Sequence, residues 1–336
     1  MTIAVCGRVR GRNQAGETGE GAICKCMTQD RILRGIVLML TFCMLAPLLD
    51  VSSKLAAQGG IPVGQITTAR FLVQGLLMLP VVLVMGLHLA MPLRSLGFVL
   101  LRALFLILST YSFVSGIAVM PVADALAIAF VEPFILLILG SFIFGDQVGP
   151  RRIAACAVGF GGALLVIQPS IAAFGWVALW PLATAFTFAF YMLVTRALSA
   201  VMHPVTMQFH TSWTGLLICL PVMLLAQGSG IGPLDPVWPQ GLNWVWLAGV
   251  GFWAAISHIC MTYALKYAPS ATLAPLHYSE IVVAVALGYA IFDDFPNPLT
   301  WAGIAVIVAS GLYMIHRERL AVRDARNLSA AQKSAR

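Results

Sequence analysis

The chain has 336 residues, of which 60% are hydrophobic and 10% charged, with a formal net charge of +7. Soluble domains carry roughly 25% charged residues, so charge this sparse cannot cover a 36.0 kDa particle in water, and a mean hydropathy of +0.91 makes lipid the solvent for most side chains. A soluble globule is excluded, and so is a nucleic-acid partner, because the basic residues flank apolar runs instead of forming one patch.

Residues 1–30 are polar and Gly-rich without helical period and read as a disordered tail. They lack the basic start, short apolar core and small-residue cleavage site of a signal peptide. Translation from Met1 and from Met27, which would place MTQDRILRG directly before the first apolar run, both stay open. Cys6, Cys24 and Cys26 lie in this tail, while Cys43, Cys156, Cys219 and Cys260 lie in apolar runs. The Cys24/Cys26 pair has no second pair to complete a zinc site, so neither metal nor cofactor is expected.

A helix crossing the bilayer core needs about 20 apolar residues. Runs of that kind occupy 34–55, 65–87, 95–119, 122–144 and 151–168, then 175–198, 206–227, 243–266, 270–292 and 299–316. Pro and Gly punctuate the connectors, as at Pro62, Pro121, Pro150, Pro204, Pro269 and Pro298. Ten spans put both termini on one side, and the positive-inside rule tests that count. With both tails cytoplasmic, the inner connectors hold Arg94, Arg102, Arg151, Arg152, Arg196 and Lys266, so eighteen of the 20 Lys and Arg lie inside and only Lys54 and Arg70 lie toward the other face.

The chain also repeats itself. At an offset of 148, Pro121 meets Pro269, Glu132 meets Glu280, Gly140 meets Gly288, Phe144 meets Phe292 and Asp146 meets Asp294. Earlier in each half the offset is 142, pairing Lys54 with Arg196 and Pro62 with Pro204. Five spans per half is an odd number, so the copies enter the membrane from opposite sides. The expected fold is therefore an all-α membrane protein of ten transmembrane helices built as two inverted five-helix repeats. Such halves can exchange conformations around a site near the midplane, which makes alternating access the expected mechanism.

The ten-span layout, the stretch FGDQVGPRRIAACAVGFGGALLV (144–166) and its partner FDDFPNPLTWAGIAVIVASGLYMI (292–315) resemble the drug/metabolite transporter superfamily, EamA type. The resemblance covers about 34–316. It implies two repeat domains, 31–170 and 171–316, between a cytoplasmic tail at 1–30 and a basic one at 317–336. It also implies a substrate among amino acids, nucleotide sugars, drugs and cofactors such as riboflavin or S-adenosylmethionine.

Charges at bilayer depth cost at least about 2.5–3.5 kcal/mol on insertion scales and so mark cavities or partners. Glu132 and Glu280 lie some ten residues into spans four and nine, near the midplane. Desolvation favours a protonated carboxyl, so these acids are candidates for coupling transport to protons, and Pro133 would kink its helix beside the first of them. His277, three residues before Glu280, is expected to share its face, with Tyr278 adjacent; the first-half counterparts are Ala129 and Phe130. Phe130, Tyr111, Tyr278, Trp213, Trp253 and Tyr263 offer an aromatic lining, and His258 and then His210 are further candidates. Near the outer end, Asp50 and Lys54 have the i, i+4 spacing of an ion pair, and with Arg70 and Asp124 they form a charge cluster. That cluster either gates the outer side or lends the Arg70 fork to a substrate carboxylate or phosphate.

Aromatics with few fixed charges favour a flat, weakly charged substrate such as riboflavin or an aromatic amino acid, moved by a secondary transporter. Export of amino acids or drugs, and a non-saturating channel, are the alternatives. An enzyme is not expected, because no HExxH, GxSxG or paired metal-ligand spacing is present. The expected location is the bacterial inner membrane. The expected partners are the bilayer and a small-molecule substrate, with protons as coupling ion and a second copy of the chain left open.

Overall fold

The computed structural model of the chain describes residues 20–87, 89, 91, 93–144, 150–268, 270–310, 312, 313 and 316, and among these every regular element is a helix. This suits a chain in lipid, where backbone groups have no water to bond and must be satisfied within their own segment. The elements run α1 (Glu20–Gln58), α2 (Val63–Val84), α3 (Leu93–Ile117), α4 (Val122–Ala129), α5 (Glu132–Phe144) and α6 (Pro150–Phe174). A 3₁₀ turn (Gly175–Ala178) leads into α7 (Leu179–Ser199), followed by α8 (Pro204–Ala226) and α9 (Asn243–Tyr267). Last come α10 (Ser270–Leu273), a second 3₁₀ segment (Ala274–Ser279), α11 (Glu280–Phe292) and α12 (Pro298–Ser310). Pro150, Pro204 and Pro298 open their helices, where a missing N–H costs nothing.

Among the described residues seven helices are long and apolar enough to cross a membrane, and Leu276–Phe292 and Pro298–Ser310 are shorter apolar helices. The chain is thus a multi-pass, all-helical membrane protein. α1 extends back to Glu20, so residues 20–30, expected to lack helical order, are helical and lead into the span Arg31–Gln58. Residues 1–19 lie outside the described set.

The packing has a two-fold pattern. α1 runs along α9 and α3 along α7, α2 faces α8, and α4 meets α11. Written as spans, one meets eight and three meets six, which are the same contact with the halves exchanged. Small residues let these helices close up, as between helices in lipid. A Cβ at Gly35 of α1 would lie 2.8 Å from the Ala268 Cβ, and one at Gly215 of α8 would lie 2.6 Å from the Phe71 ring.

Two helices are broken where the sequence places its paired acids. α4 ends at Ala129 and α5 begins at Glu132, with Pro133 next in line; the N–H that Pro133 lacks is one a helix start leaves unpaired anyway. In the second half the winding tightens to 3₁₀ over Ala274–Ser279, and α11 starts at Glu280. Each acid is therefore the first residue of a half-helix. At its far end α11 closes on Asp293, held in the left-handed region at φ 56°, with the Asp293 and Asp294 N–H groups returning to the Tyr289 and Gly288 carbonyls at 3.1 and 3.2 Å. This C-cap fixes the direction in which Asp294 leaves the helix.

Candidate functional site

A cavity lies between α1, α2, α3, α7 and α9 and the two helix breaks. Its empty space, open solvent at the mouth included, is about 710 Å³. Both halves of the chain line it. Asp50, Glu132 and Glu280 supply carboxyls, and Arg70, His258 and His277 supply nitrogen groups. Ser53, Ser109, Thr110 and Thr184 add hydroxyls, and Phe42, Phe113, Phe130 and Phe188 add aromatic wall.

Glu132 is paired across the halves: His277 Nδ1 stands 3.3 Å from its Oε2, with both side chains buried. The expectation that His277 serves Glu280 on a shared face is therefore corrected. The segment carrying His277 is wound as a 3₁₀ helix with about three residues per turn, and the imidazole reaches to the other break. Glu280 has no ion-pair partner among the described residues and faces the cavity, where it feels the charges of Asp50 and Glu132. Tyr278 packs its ring edge-on against Phe130 at 5.4 Å and against Phe134 at 6.1 Å; it belongs to the wall behind Phe130.

The expected outer cluster divides. Lys54 does not bond Asp50; its Nζ donates to Asp294 Oδ2 at 2.6 Å and to the Met120 carbonyl at 3.4 Å, and lies 4.5 Å from the centre of the Phe292 ring. Asp124, buried nearby, is within electrostatic reach of Lys54 and Asp294. The i, i+4 spacing lost to the long-range partner because the α11 cap delivers Asp294 to the Lys54 tip. Asp50 and Arg70 belong to the cavity instead.

Arg70 donates through Nη1 to Thr110 Oγ1 and through Nη2 to His258 Nε2 at 2.6 Å. Arginine has no acceptor, so Nε2 accepts, and His258 is the neutral tautomer with its proton on Nδ1. That proton points to the Tyr191 hydroxyl, 3.1 Å away. Tyr191 in turn receives Arg102 Nη2 at 2.8 Å. A buried chain of hydrogen bonds thus joins Arg70 on the cavity wall to Arg102 eight residues down α3 from Thr110.

Arg102, which sequence reasoning assigns to an inner connector, is instead the buried hub of this chain of hydrogen bonds. It is fully buried in α3, with Nε on Thr195 Oγ1 at 2.8 Å, Nη1 on Thr211 Oγ1, and Nη2 also on Gln208 Oε1 at 3.0 Å and Thr262 Oγ1 at 3.4 Å. The Tyr191 ring lies 4.6 Å from its guanidinium carbon. Every acceptor is neutral. The available signal was a run of hydroxyl and amide residues inside apolar spans six, seven and eight.

Other candidates lie off the cavity. Tyr111 meets Trp180 edge-on at 6.0 Å, Tyr263 stacks with Tyr267, and His210 and Trp213 pack around Phe209. Trp253 packs against Phe252. Asp146 lies outside the described residues.

The EamA-like transporter family model matches the chain twice, over residues 33–168 and 175–316. A riboflavin transporter of Rhizobium johnstonii is 28% identical over 222 residues, 65% of this chain and 70% of its own. An S-adenosylmethionine uptake transporter of Rickettsia prowazekii is 24% identical over 250 residues, 74% of this chain and 82% of its own. A crystal structure of a protein at 20% identity superposes with a TM-score of 0.63, covering 84% of this chain and 95% of that one.

Proposed function

Because the chain belongs to the EamA-like transporter family, we propose that it is a secondary transporter carrying a small metabolite across the bacterial inner membrane by alternating access between two inverted halves of five spans, with both termini cytoplasmic. The observation that carries this reading is a matched pair of latches. At the outer end Lys54 of α1 lies 4.5 Å from the Phe292 ring; at the inner end Arg196 of α7 lies 4.2 Å from the Phe144 ring and donates to Ser270 Oγ at 2.7 Å. Lys54 and Arg196 are equivalent positions of the repeat, as are Phe144 and Phe292. A cation on an aromatic face is worth up to about 2 kcal/mol when desolvated, enough to bias an equilibrium between two closures without freezing it. The half-helices meeting at the cavity and the two-fold packing support the same mechanism.

Glu280, unpaired and facing the cavity, is the proton-responsive group, and Glu132, held by His277, is its structurally engaged counterpart. The aromatic wall favours a flat substrate, riboflavin or an aromatic amino acid. The test is counterflow in proteoliposomes loaded with each candidate. A transporter saturates and exchanges; a channel passes solute without either. Glu280→Gln is expected to flatten the pH dependence of uptake while exchange at equal pH survives. An unchanged profile in both Glu280→Gln and Glu132→Gln would remove proton coupling through these acids.

A further inference from the structure

The cavity lining carries both signs of charge. Arg70 is 4% exposed, lines the cavity, bonds only the neutral Thr110 and His258, and leaves its Nε without a partner. No carboxylate lies within ion-pair distance of it among the described residues; Asp50 acts on it only through space. Its guanidinium is therefore a buried cation that the protein orients, through His258 and Tyr191, but does not neutralise. The same lining carries Asp50 and Glu280, neither of them ion-paired among the described residues and mutually repelling, with Glu132 adding to the field. Phe42, Phe113, Phe130 and Phe188 line the cavity beside these charges.

Resting on the transporter reading above, we propose that the substrate is an aromatic zwitterion, whose carboxylate docks on Arg70 and whose amine docks between Asp50 and Glu280. A buried unpaired guanidinium and two buried unpaired carboxylates each cost desolvation that a partner of opposite charge offsets, and one dipolar ligand satisfies both. The planar fork of arginine matches a carboxylate with two parallel hydrogen bonds. The phenylalanine faces take a flat body, and the adjacent hydroxyls of Ser109 and Thr184 suit a rim of polar groups on it. A flavin, which has neither a basic amine nor a carboxylate, leaves both charges unmet.

The experiment is counterflow with the full chain in proteoliposomes, using the proteinogenic amino acids, S-adenosylmethionine, tryptamine and riboflavin as probes. The expected result is exchange of an aromatic zwitterion, aromatic amino acid or S-adenosylmethionine, with tryptamine, which lacks the carboxylate, weaker than tryptophan by about tenfold or more. Arg70→Gln is expected to raise KM for the zwitterion by about tenfold to a hundredfold and to erase the preference for tryptophan over tryptamine. Arg70→Lys, which keeps the charge, is expected to retain that preference in part. Exchange of riboflavin alone, or a zwitterion KM unchanged in Arg70→Gln, overturns the assignment while leaving the transporter standing. No exchange of any probe by protein that has reconstituted overturns both.

Discussion

Arg102 gives the sharpest test of how this interior is held. Its five donor contacts end on neutral oxygens, and the hydroxyl protons of Thr195, Thr211 and Thr262 are already committed to the carbonyls of Tyr191, Met207 and His258 at 2.7, 2.8 and 2.7 Å. The acceptors are thus oriented toward the guanidinium before it arrives. An ammonium has three donors where the guanidinium has five. Arg102→Lys therefore loses at least two contacts, at about 1.5 kcal/mol each for bonds to a charged group, and keeps the full desolvation cost of a buried cation. A loss of about 3 kcal/mol follows from those contacts. Arg102→Met loses all the contacts but also removes the charge, whose burial costs several kcal/mol; it strands only acceptor lone pairs, since the hydroxyl protons stay bonded. Arg102→Lys is therefore expected to be at least as destabilising as Arg102→Met. Unfolding by rising SDS fraction in mixed micelles, followed through the fluorescence of the 8 tryptophans, reads both. A Lys variant as stable as the parent beside a Met variant that fails to fold would refute the reasoning, because positive charge alone would then be what the site needs.

Further outcomes follow from the same contacts. Lys54→Gln removes the Asp294 bond and the Phe292 contact together, and is expected to weaken outer closure by about 1–3 kcal/mol, seen as faster thiol labelling from outside at a cysteine introduced at Ser109. Gly35→Leu forces atoms into the Ala264 carbonyl and Ala268 across the α1–α9 contact and should cost about 1–3 kcal/mol of stability. Gly97→Ala, where a Cβ meets nothing within 4 Å, should leave the same unfolding curve unmoved. A phosphatase active only outside the cytoplasm, fused after Arg317, should be silent; an active fusion would reverse the topology.

Much of this arrangement is written in the chain at short range. Apolar run length locates the helices, because the bilayer sets one length for all of them, and the self-match at Glu132 and Glu280 locates both acids of the helix breaks. Pro133 signals the first break directly, and Pro275 opens the 3₁₀ segment before Glu280. What escapes is partner choice. The i, i+4 rule joins Asp50 to Lys54, but it speaks only of one helix surface, and the Asp293 cap brings Asp294 to Lys54 from 240 residues away. α-Helical spacing joins His277 to Glu280, but the 3₁₀ winding replaces that spacing and turns the imidazole to Glu132. Arg102 resembled a connector charge because it lies ten positions into α3, near enough to Arg94 to be counted with it; only the Thr195, Gln208, Thr211 and Thr262 cluster, assembled by tertiary packing, reveals its burial.

The central claim is that the cavity opens to one side at a time. In a chain freed of its seven native cysteines, Lys54→Cys and Asp294→Cys can be joined by a short reversible thiol cross-linker, with a third cysteine at Ser109 on the cavity wall protected by substrate during the linking. With the outer latch closed in this way, Ser109→Cys is expected to react with an impermeant reagent in inside-out vesicles and not in right-side-out vesicles, and counterflow should stop until the link is reduced. Equal labelling from both sides, or counterflow that continues through the closed link, would contradict alternating access.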